Sequence, residues 1–281
     1  IAAMSLSLLN SSCTDFLDTK PYDKITGEQT WSSEELAKSF VYSIYSDVMQ
    51  KSLWLGAYGA SYSCRAESAT KNAMTGTLNS SYWSRDRAEL FTNDDNYEWL
   101  DYGILWRIHT AMNEITESPI FSETFKKQLI GELKFLRAAH YFLFARQYGG
   151  LQIIDRVLST EDNLQIPRSS IGETYDFIIN DLKEAASVLP EVGEVERGRA
   201  SSTAAYALLM RVANQAASYV DGGTVQSKYY DEVIEAGTAI GLNEEGSQLS
   251  PYYDMFRSYG TAIAAQEQIM MVERREPKSS L

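Results

Sequence analysis

The segment 123–147 constrains the fold most, because apolar residues recur in it with a helical period on two sides. One side carries Leu129, Leu133, Leu136, His140 and Leu143, which follow one another at steps of four, three, four and three residues. The other side carries Phe135, Ala139 and Phe142. A helix that is apolar around most of its circumference has to be covered by other elements. The segment therefore predicts a central, buried helix, which Gly149 and Gly150 end.

Two polar side chains of this helix need partners in such a core. His140 lies on the apolar stripe, where a hydrogen-bonded core histidine is more common than a catalytic base. Arg137 carries a charge, and burial of a charge is costly unless the charge is paired. We expect Arg137 to bond to a neighbouring helix; a contact with a ligand is the alternative.

Five further segments show helical periodicity. They are 32–48, 97–116, 171–189, 202–219 and a shorter one at 229–240. Two of them open with a capping box, in which Ser and a Glu three residues later satisfy free backbone N–H groups. The boxes pair Ser32 with Glu35, and Ser170 with Glu173. In 97–116 the helical spacing of Trp99 and Trp106 predicts that both are core residues.

Successive helices joined by turns predict an all-α protein of stacked helical hairpins. The nearest named pattern is the tetratricopeptide unit of about 34 residues, here in divergent repeats. The predicted hairpins pair 97–116 with 123–147, and 171–189 with 202–219. Strand signals are few and short, at 152–157 and 268–273. Segment 52–95 is long, irregular and rich in Gly, Ser, Asn, Thr and Tyr; such loops are often functional.

The charge balance argues against two kinds of partner. The chain of 281 residues has 25 Lys and Arg against 38 Asp and Glu, which gives a net charge of −13. This charge repels nucleic-acid phosphates and anionic lipid headgroups. We therefore expect no nucleic-acid partner, and contact with a membrane only through a lipid anchor.

The motifs of common enzyme active sites are absent. The two histidines, His109 and His140, both fall inside predicted helices, and no Walker, nucleophile-elbow, zinc-protease or dinucleotide-binding motif is present. The acidic run 93–96 lacks the spacing of an EF-hand loop. We expect no catalysis, no cofactor and no metal site. A glycoside hydrolase, whose two carboxylates can lie far apart in sequence, is the weaker alternative.

Cys13 follows a short apolar run and two small residues, Ser11 and Ser12. A short apolar run of this kind is typical of the end of a signal peptide, and small residues before a cysteine are what a lipoprotein signal peptidase requires, although Asn10 fits that pattern less well. We predict that residues 1–12 are the remnant of a signal peptide and that Cys13 is lipidated. The alternative is an incidental cysteine in a disordered N-terminus.

The sequence resembles the SusD-like (RagB/SusD) family at four places, in the family's order. The segment GELKFLRAAHYFLFARQYGG at 131–150 resembles the family's hallmark helix, through Glu132, FLRA, YF and YG. The other three places are Cys13 followed by DFLD, IPRSSIGETYDFIINDLKEA at 166–185, and GRASSTAAYALLMRVANQAA at 198–217. One departure is Gln152, where the family often has proline.

The resemblance extends from 13 to 273 and implies a function. It implies a surface-exposed lipoprotein of the outer membrane of Gram-negative bacteria, built on tetratricopeptide-like helix pairs. Such a protein binds oligosaccharides or polysaccharides and delivers them to a SusC-like TonB-dependent transporter. Family members are longer, with a less regular C-terminal region, so we expect the chain to be truncated at both ends. The alternative is a helical-repeat adaptor for protein or peptide partners.

The resemblance places part of the glycan site in segment 52–95, by region only. We predict that Trp83, with Tyr82, covers the C–H face of a sugar ring. Burial of roughly 60 Å² contributes about 1.5 kcal/mol, which is about tenfold in affinity. Hydrogen bonds to the sugar hydroxyls are assigned to Asn79, Asn72, Glu67 and Arg65. The alternative for Trp83 is a core position beneath the loop.

Overall fold

The computed structural model describes residues 27–49, 100–220, 227–242 and 269–270. These residues form helices and connecting segments, without a strand, which confirms the predicted all-α class. The helices are α1 (Gly27–Thr30), α2 (Glu34–Met49), α3 (Tyr102–Glu117), α4 (Glu123–Tyr148), α5 (Ile171–Val188), α6 (Ser202–Tyr219) and α7 (Ser227–Ala239).

Helix α4 is the centre of the core. Every residue from 135 to 145 is buried, and α4 contacts α2, α3, α5 and α6. Leu136 is fully buried, as its position on the apolar stripe predicts. Neighbouring helices cover α4 from several directions, and this explains why apolar residues occur on two of its sides.

The helices pack as a stack of consecutive pairs. Helix α3 packs against α4 and α5 against α6, which confirms both predicted hairpins. Helix α5 also packs against α4, and α7 against α6. The buried face of α6 is rich in alanine, and small side chains allow the axes of neighbouring helices to approach closely.

The ends of α4 and α5 follow the sequence signals. Gly149 has a φ of 73° and donates its N–H to the carbonyl of Ala145 at 3.0 Å. A Cβ atom on Gly150 would lie 2.0 Å from the carbonyl oxygen of Ser169, so only glycine fits where these two segments meet. The capping box of Ser170 and Glu173 is present at the start of α5.

The other predicted capping box is wrong by one residue. The hydroxyl of Ser33, not Ser32, accepts the N–H of Leu36 at 3.3 Å. Ser32 instead donates to the carbonyl of Gln29 at 2.7 Å. The short helix α1 ends at Thr30, and the Ser32 hydroxyl bonds to its last turn rather than to the first turn of α2.

The strand predicted at 152–157 does not form; this segment is irregular chain. Side chains of the helices satisfy its backbone instead. The N–H of Ile154 donates to the Tyr141 hydroxyl at 2.8 Å, and the carbonyl of Ile154 lies 2.9 Å from Nε2 of His109. The second strand signal, at 268–273, lies outside the described residues except for 269 and 270.

The prediction that Trp106 is a core residue is also wrong, since 54% of this side chain is exposed. The buried face of α3 carries Ile104, Leu105, Ile108, His109, Ala111 and Ile115. Helices α2 and α4 pack on α3, and Trp106 lies beyond the face that they cover. Trp99 lies outside the described residues. None of the helices α1 to α7, which the described residues form, combines the length and apolar character needed to cross a membrane.

Candidate functional site

The predicted lipidation and glycan residues lie outside the part of the chain that the structure describes. They are Cys13, Arg65, Glu67, Asn72, Asn79, Tyr82 and Trp83. Their roles stay predictions. The acidic run 93–96 also lies outside, and the described residues contain no group of three or more potential metal ligands.

Arg137 forms a buried ion pair with Asp181 of α5. Its Nε and Nη2 atoms donate to Asp181 Oδ2 and Oδ1 at 2.7 and 2.6 Å. The guanidinium carbon lies 4.9 Å from the centroid of the Phe177 ring. This confirms the predicted bond to a neighbouring helix. It also joins two of the segments that resemble the family, because Arg137 belongs to 131–150 and Asp181 to 166–185.

A second buried pair joins Glu132 to Arg199, just before α6. Arg199 donates from Nε to Glu132 Oε2 at 2.9 Å, and from Nη2 to Oε1. The hydroxyl of Tyr45 on α2 also donates to Glu132, at 3.0 Å, and accepts the N–H of Ala200 at 2.9 Å. The pair therefore connects α2, α4 and the start of α6. Burial raises the pKa of the Glu132 carboxyl, and Arg199 opposes this shift.

Both histidines are buried in the core. The sequence predicts a core position for His140 and, for His109, only a position inside a helix. Nδ1 of His109 lies 3.4 Å from Nη1 of Arg137, and its Nε2 contacts the Ile154 carbonyl. Because a guanidinium only donates, Nδ1 is the acceptor and Nε2 carries the proton. Nε2 of His140 lies 3.1 Å from the Asp101 carbonyl. Burial, together with Arg137, lowers the pKa of His109 to about 4.

This pKa predicts a loss of stability in acid. In the unfolded chain His109 has its ordinary pKa near 6.5, so between about pH 6.5 and 4 the unfolded state binds more protons, and stability falls as the pH falls. The contribution of His109 amounts to about 3 kcal/mol by pH 4. The measurement is the free energy of unfolding from pH 7.5 to 4, for wild type and His109→Gln.

Other carboxyl groups titrate in the same range, so the difference between the two proteins is the quantity to compare. The stability advantage of wild type over His109→Gln should shrink by about 3 kcal/mol across that range. A difference that stays constant with pH would show that His109 keeps its ordinary pKa in the folded protein.

These two ion pairs show what the motif residues do. Glu132, Arg137, Asp181 and Arg199 hold α4 to its neighbours, and each of them is buried. They contact one another rather than solvent, so they are not placed to bind a ligand. Sequence reasoning anticipated a partner for Arg137 but not for Glu132 or Arg199.

One aromatic surface of the described residues faces solvent beside a cavity. We call the cavity of about 440 Å³ lined by Asp47, Asp101, Gly103, Ile104, Trp106 and Arg107 the α3 groove. Trp106 and Tyr102 are 54% and 45% exposed. The Tyr102 hydroxyl donates to Oε1 of Gln152, the residue at which the sequence departs from the family. The aromatic spacing at 102 and 106 is the sequence signal for this surface, but the same spacing also fits a core face.

The polar edge of the α3 groove is held in place by its own contacts. Arg107 donates to the Asp47 carboxylate and to the Ser43 hydroxyl, and its guanidinium carbon lies 5.2 Å from the centroid of the Phe40 ring. Asp101 caps α3 by accepting the N–H of Gly103 at 2.9 Å. The groove thus offers a flat ring beside a fixed carboxylate and guanidinium.

The fold defines a protein of stacked helix pairs whose buried charges serve to join helices. A family model described as starch-binding and associating with the outer membrane matches residues 15–213. The chain belongs to the SusD-like family. Members of this family are binding proteins and not enzymes.

Similar sequences and structures carry the same family name. The chain is 30% identical over 198 residues to a SusD-like protein of Formosa agariphila, covering 67% of this chain and 36% of that protein. It is 25% identical over 227 residues to a SusD-like protein of Bacteroides ovatus, covering 78% and 39%. The crystal structure of a SusD-like protein of Bacteroides fragilis superimposes with a TM-score of 0.68 at 30% identity, covering 92% and 48%.

A laminarin-binding SusD-like protein has the same fold, with a TM-score of 0.63 at 20% identity, over 81% of this chain and 49% of that one. In each of these comparisons the chain spans less than half the length of its relative.

Proposed function

We propose that this chain is part of a lipid-anchored protein on the surface of the outer membrane that captures oligosaccharides or polysaccharides. It delivers them to a SusC-like TonB-dependent transporter. The match of the family model over 15–213, with its description as starch-binding and associating with the outer membrane, carries this proposal. The fold shared with a laminarin-binding protein supports it.

The proposed glycan contacts remain those in segment 52–95. Trp83 and Tyr82 would cover a sugar ring, and Asn79, Asn72, Glu67 and Arg65 would bind its hydroxyls. Along the chain this segment lies between the C-terminal end of α2 and the start of α3. Both of these helix ends contribute a residue to the α3 groove.

The test of glycan capture is calorimetric titration of the full-length protein with starch, laminarin and a panel of other polysaccharides. We expect binding of at least one glycan, with no release of reducing ends. Binding of peptides, with no glycan bound at millimolar concentration, would favour the helical-repeat adaptor. Release of reducing ends would favour the hydrolase. Crosslinking in intact outer membranes should capture a TonB-dependent transporter if delivery is correct.

The proposed lipid anchor predicts the cellular fraction of the protein. Acylation of Cys13 with two or more chains would hold the protein stably at a membrane, since each buried methylene contributes about 0.8 kcal/mol. Expressed with a complete signal peptide, the protein should enter the membrane fraction, and Cys13→Ala should release it. Cys64→Ala is the matched control and should stay in the membrane fraction. A Cys13→Ala protein that remains membrane-bound would contradict lipidation at this residue.

A further inference from the structure

Two large aromatic rings lie one helical turn apart on the solvent side of α3. Residues four apart on a helix share a face, and both Tyr102 and Trp106 are about half exposed. Exposed tryptophan is unusual, because this side chain is highly buried on average in folded proteins. The bond from the Tyr102 hydroxyl to Gln152 holds one of these rings in place. A ring that is already ordered loses little conformational entropy when it binds a ligand.

The polar lining beside these rings suits an uncharged ligand rich in hydroxyl groups. The positive charge of Arg107 is offset by the carboxylate of Asp47 in a direct ion pair. The Asp47 side chain is 40% exposed, and a carboxylate offers about four lone-pair sites. Asp47 can therefore accept a hydrogen bond from a ligand hydroxyl while it stays paired with Arg107. A phosphate would find no excess of positive charge there, because both Asp47 and Asp101 line the groove beside Arg107.

The size and position of the α3 groove fit one or two sugar rings of a longer chain. Its volume of about 440 Å³ lies within the range of roughly 300–1,000 Å³ found for small-ligand sites. The groove is lined by Asp47, near the C-terminal end of α2, and by residues at the start of α3. Along the chain, the segment that carries the proposed glycan residues connects these two helices.

We propose that the α3 groove is a glycan subsite, in which Trp106 covers the C–H face of a pyranose ring and the Asp47 carboxylate accepts hydrogen bonds from its hydroxyls. This inference rests on the proposed function, since it assigns a further contact to the same glycan. It adds residues on rigid helices to the predicted loop residues around Trp83.

The experiment compares glycan affinity in the full-length protein before and after loss of the Trp106 ring. Calorimetry would use whichever of starch, laminarin and the polysaccharide panel binds to wild type. Trp106→Ala should weaken binding about tenfold, as expected for loss of one aromatic contact with a sugar. Trp106→Phe should keep most of the affinity because it retains a flat ring. The melting temperature should hardly change, since the side chain is half exposed.

Matched controls separate this site from its alternatives. Tyr230→Ala removes another partly exposed ring, on α7, and should leave affinity unchanged. Trp83→Ala tests the predicted loop contact in the same assay. Glycan binding that Trp106→Ala leaves at the wild-type level would overturn the subsite while the proposed function stands. If Trp106→Ala abolished transporter binding and left glycan affinity unchanged, the groove would be a protein interface and the subsite would also be overturned. Absence of glycan binding by wild type would overturn both.

Discussion

Glu132→Ala should destabilise the protein by about 3–5 kcal/mol, the usual cost of removing one partner from a buried ion pair. The Glu132 side chain is fully buried and that of Arg199 is only 4% exposed. Without the carboxylate, the guanidinium of Arg199 keeps its charge inside the core with no paired anion. The Tyr45 hydroxyl loses the acceptor that it contacts at 3.0 Å. The measurement is the free energy of unfolding from denaturant titration.

Glu184→Ala is the matched control, since it removes the same side chain from an exposed ion pair. Glu184 contacts Lys134 on α4, and its side chain is 59% exposed. Surface pairs of this kind contribute about 0–1 kcal/mol. A destabilisation by Glu132→Ala that is no larger than that of Glu184→Ala would show that the Glu132–Arg199 pair does not hold α4 to its neighbours.

Leu136→Ala should destabilise the protein by about 2–5 kcal/mol, through lost burial and the cavity that remains. Leu136 is fully buried on α4, and the surrounding helices approach α4 from several sides. The upper part of this range is expected where neighbours cannot collapse into the space. The two ion pairs that hold α4 to α5 and to the start of α6 restrict such a collapse.

The control for this prediction is Leu164→Ala, the same substitution at a side chain that is 64% exposed. Surface substitutions usually change stability by less than about 0.5 kcal/mol. Both variants are compared by denaturant unfolding under the same conditions. A change below about 0.5 kcal/mol for Leu136→Ala would mean that α4 is not the centre of the core.

Much of the helical framework follows from the sequence, because its signals are local. The apolar period of 123–147 predicts α4, and the capping box of Ser170 and Glu173 predicts the start of α5. Both hairpins follow from the order of helices and turns. The same local rules fail where a neighbouring element competes for a side chain. The Ser32 hydroxyl donates to the last turn of α1 instead of capping α2. The backbone of 152–157 forms hydrogen bonds with Tyr141 and His109 rather than with a second strand.

The family follows from the sequence as well, because the motif at 131–150 and the three other segments occur in the expected order. The structural role of these motif residues does not follow from the sequence. Glu132 and Arg199 are 67 positions apart, and Arg137 and Asp181 are 44 apart. Nothing in the local sequence around Glu132 or Arg137 identifies Arg199 or Asp181 as its partner. The pairs exist because α4 packs against α5 and the start of α6.

The sequence by itself determined the helix class, the central position of α4 and the need of Arg137 for a partner, since these depend on period, capping and the cost of burying charge. Only the tertiary structure decided which aromatic rings of α3 face solvent. The helical spacing of Trp106 is equally consistent with a core position. Burial depends on which faces α2 and α4 cover, and they cover the face of Leu105 and Ile108 and leave Trp106 beside the α3 groove.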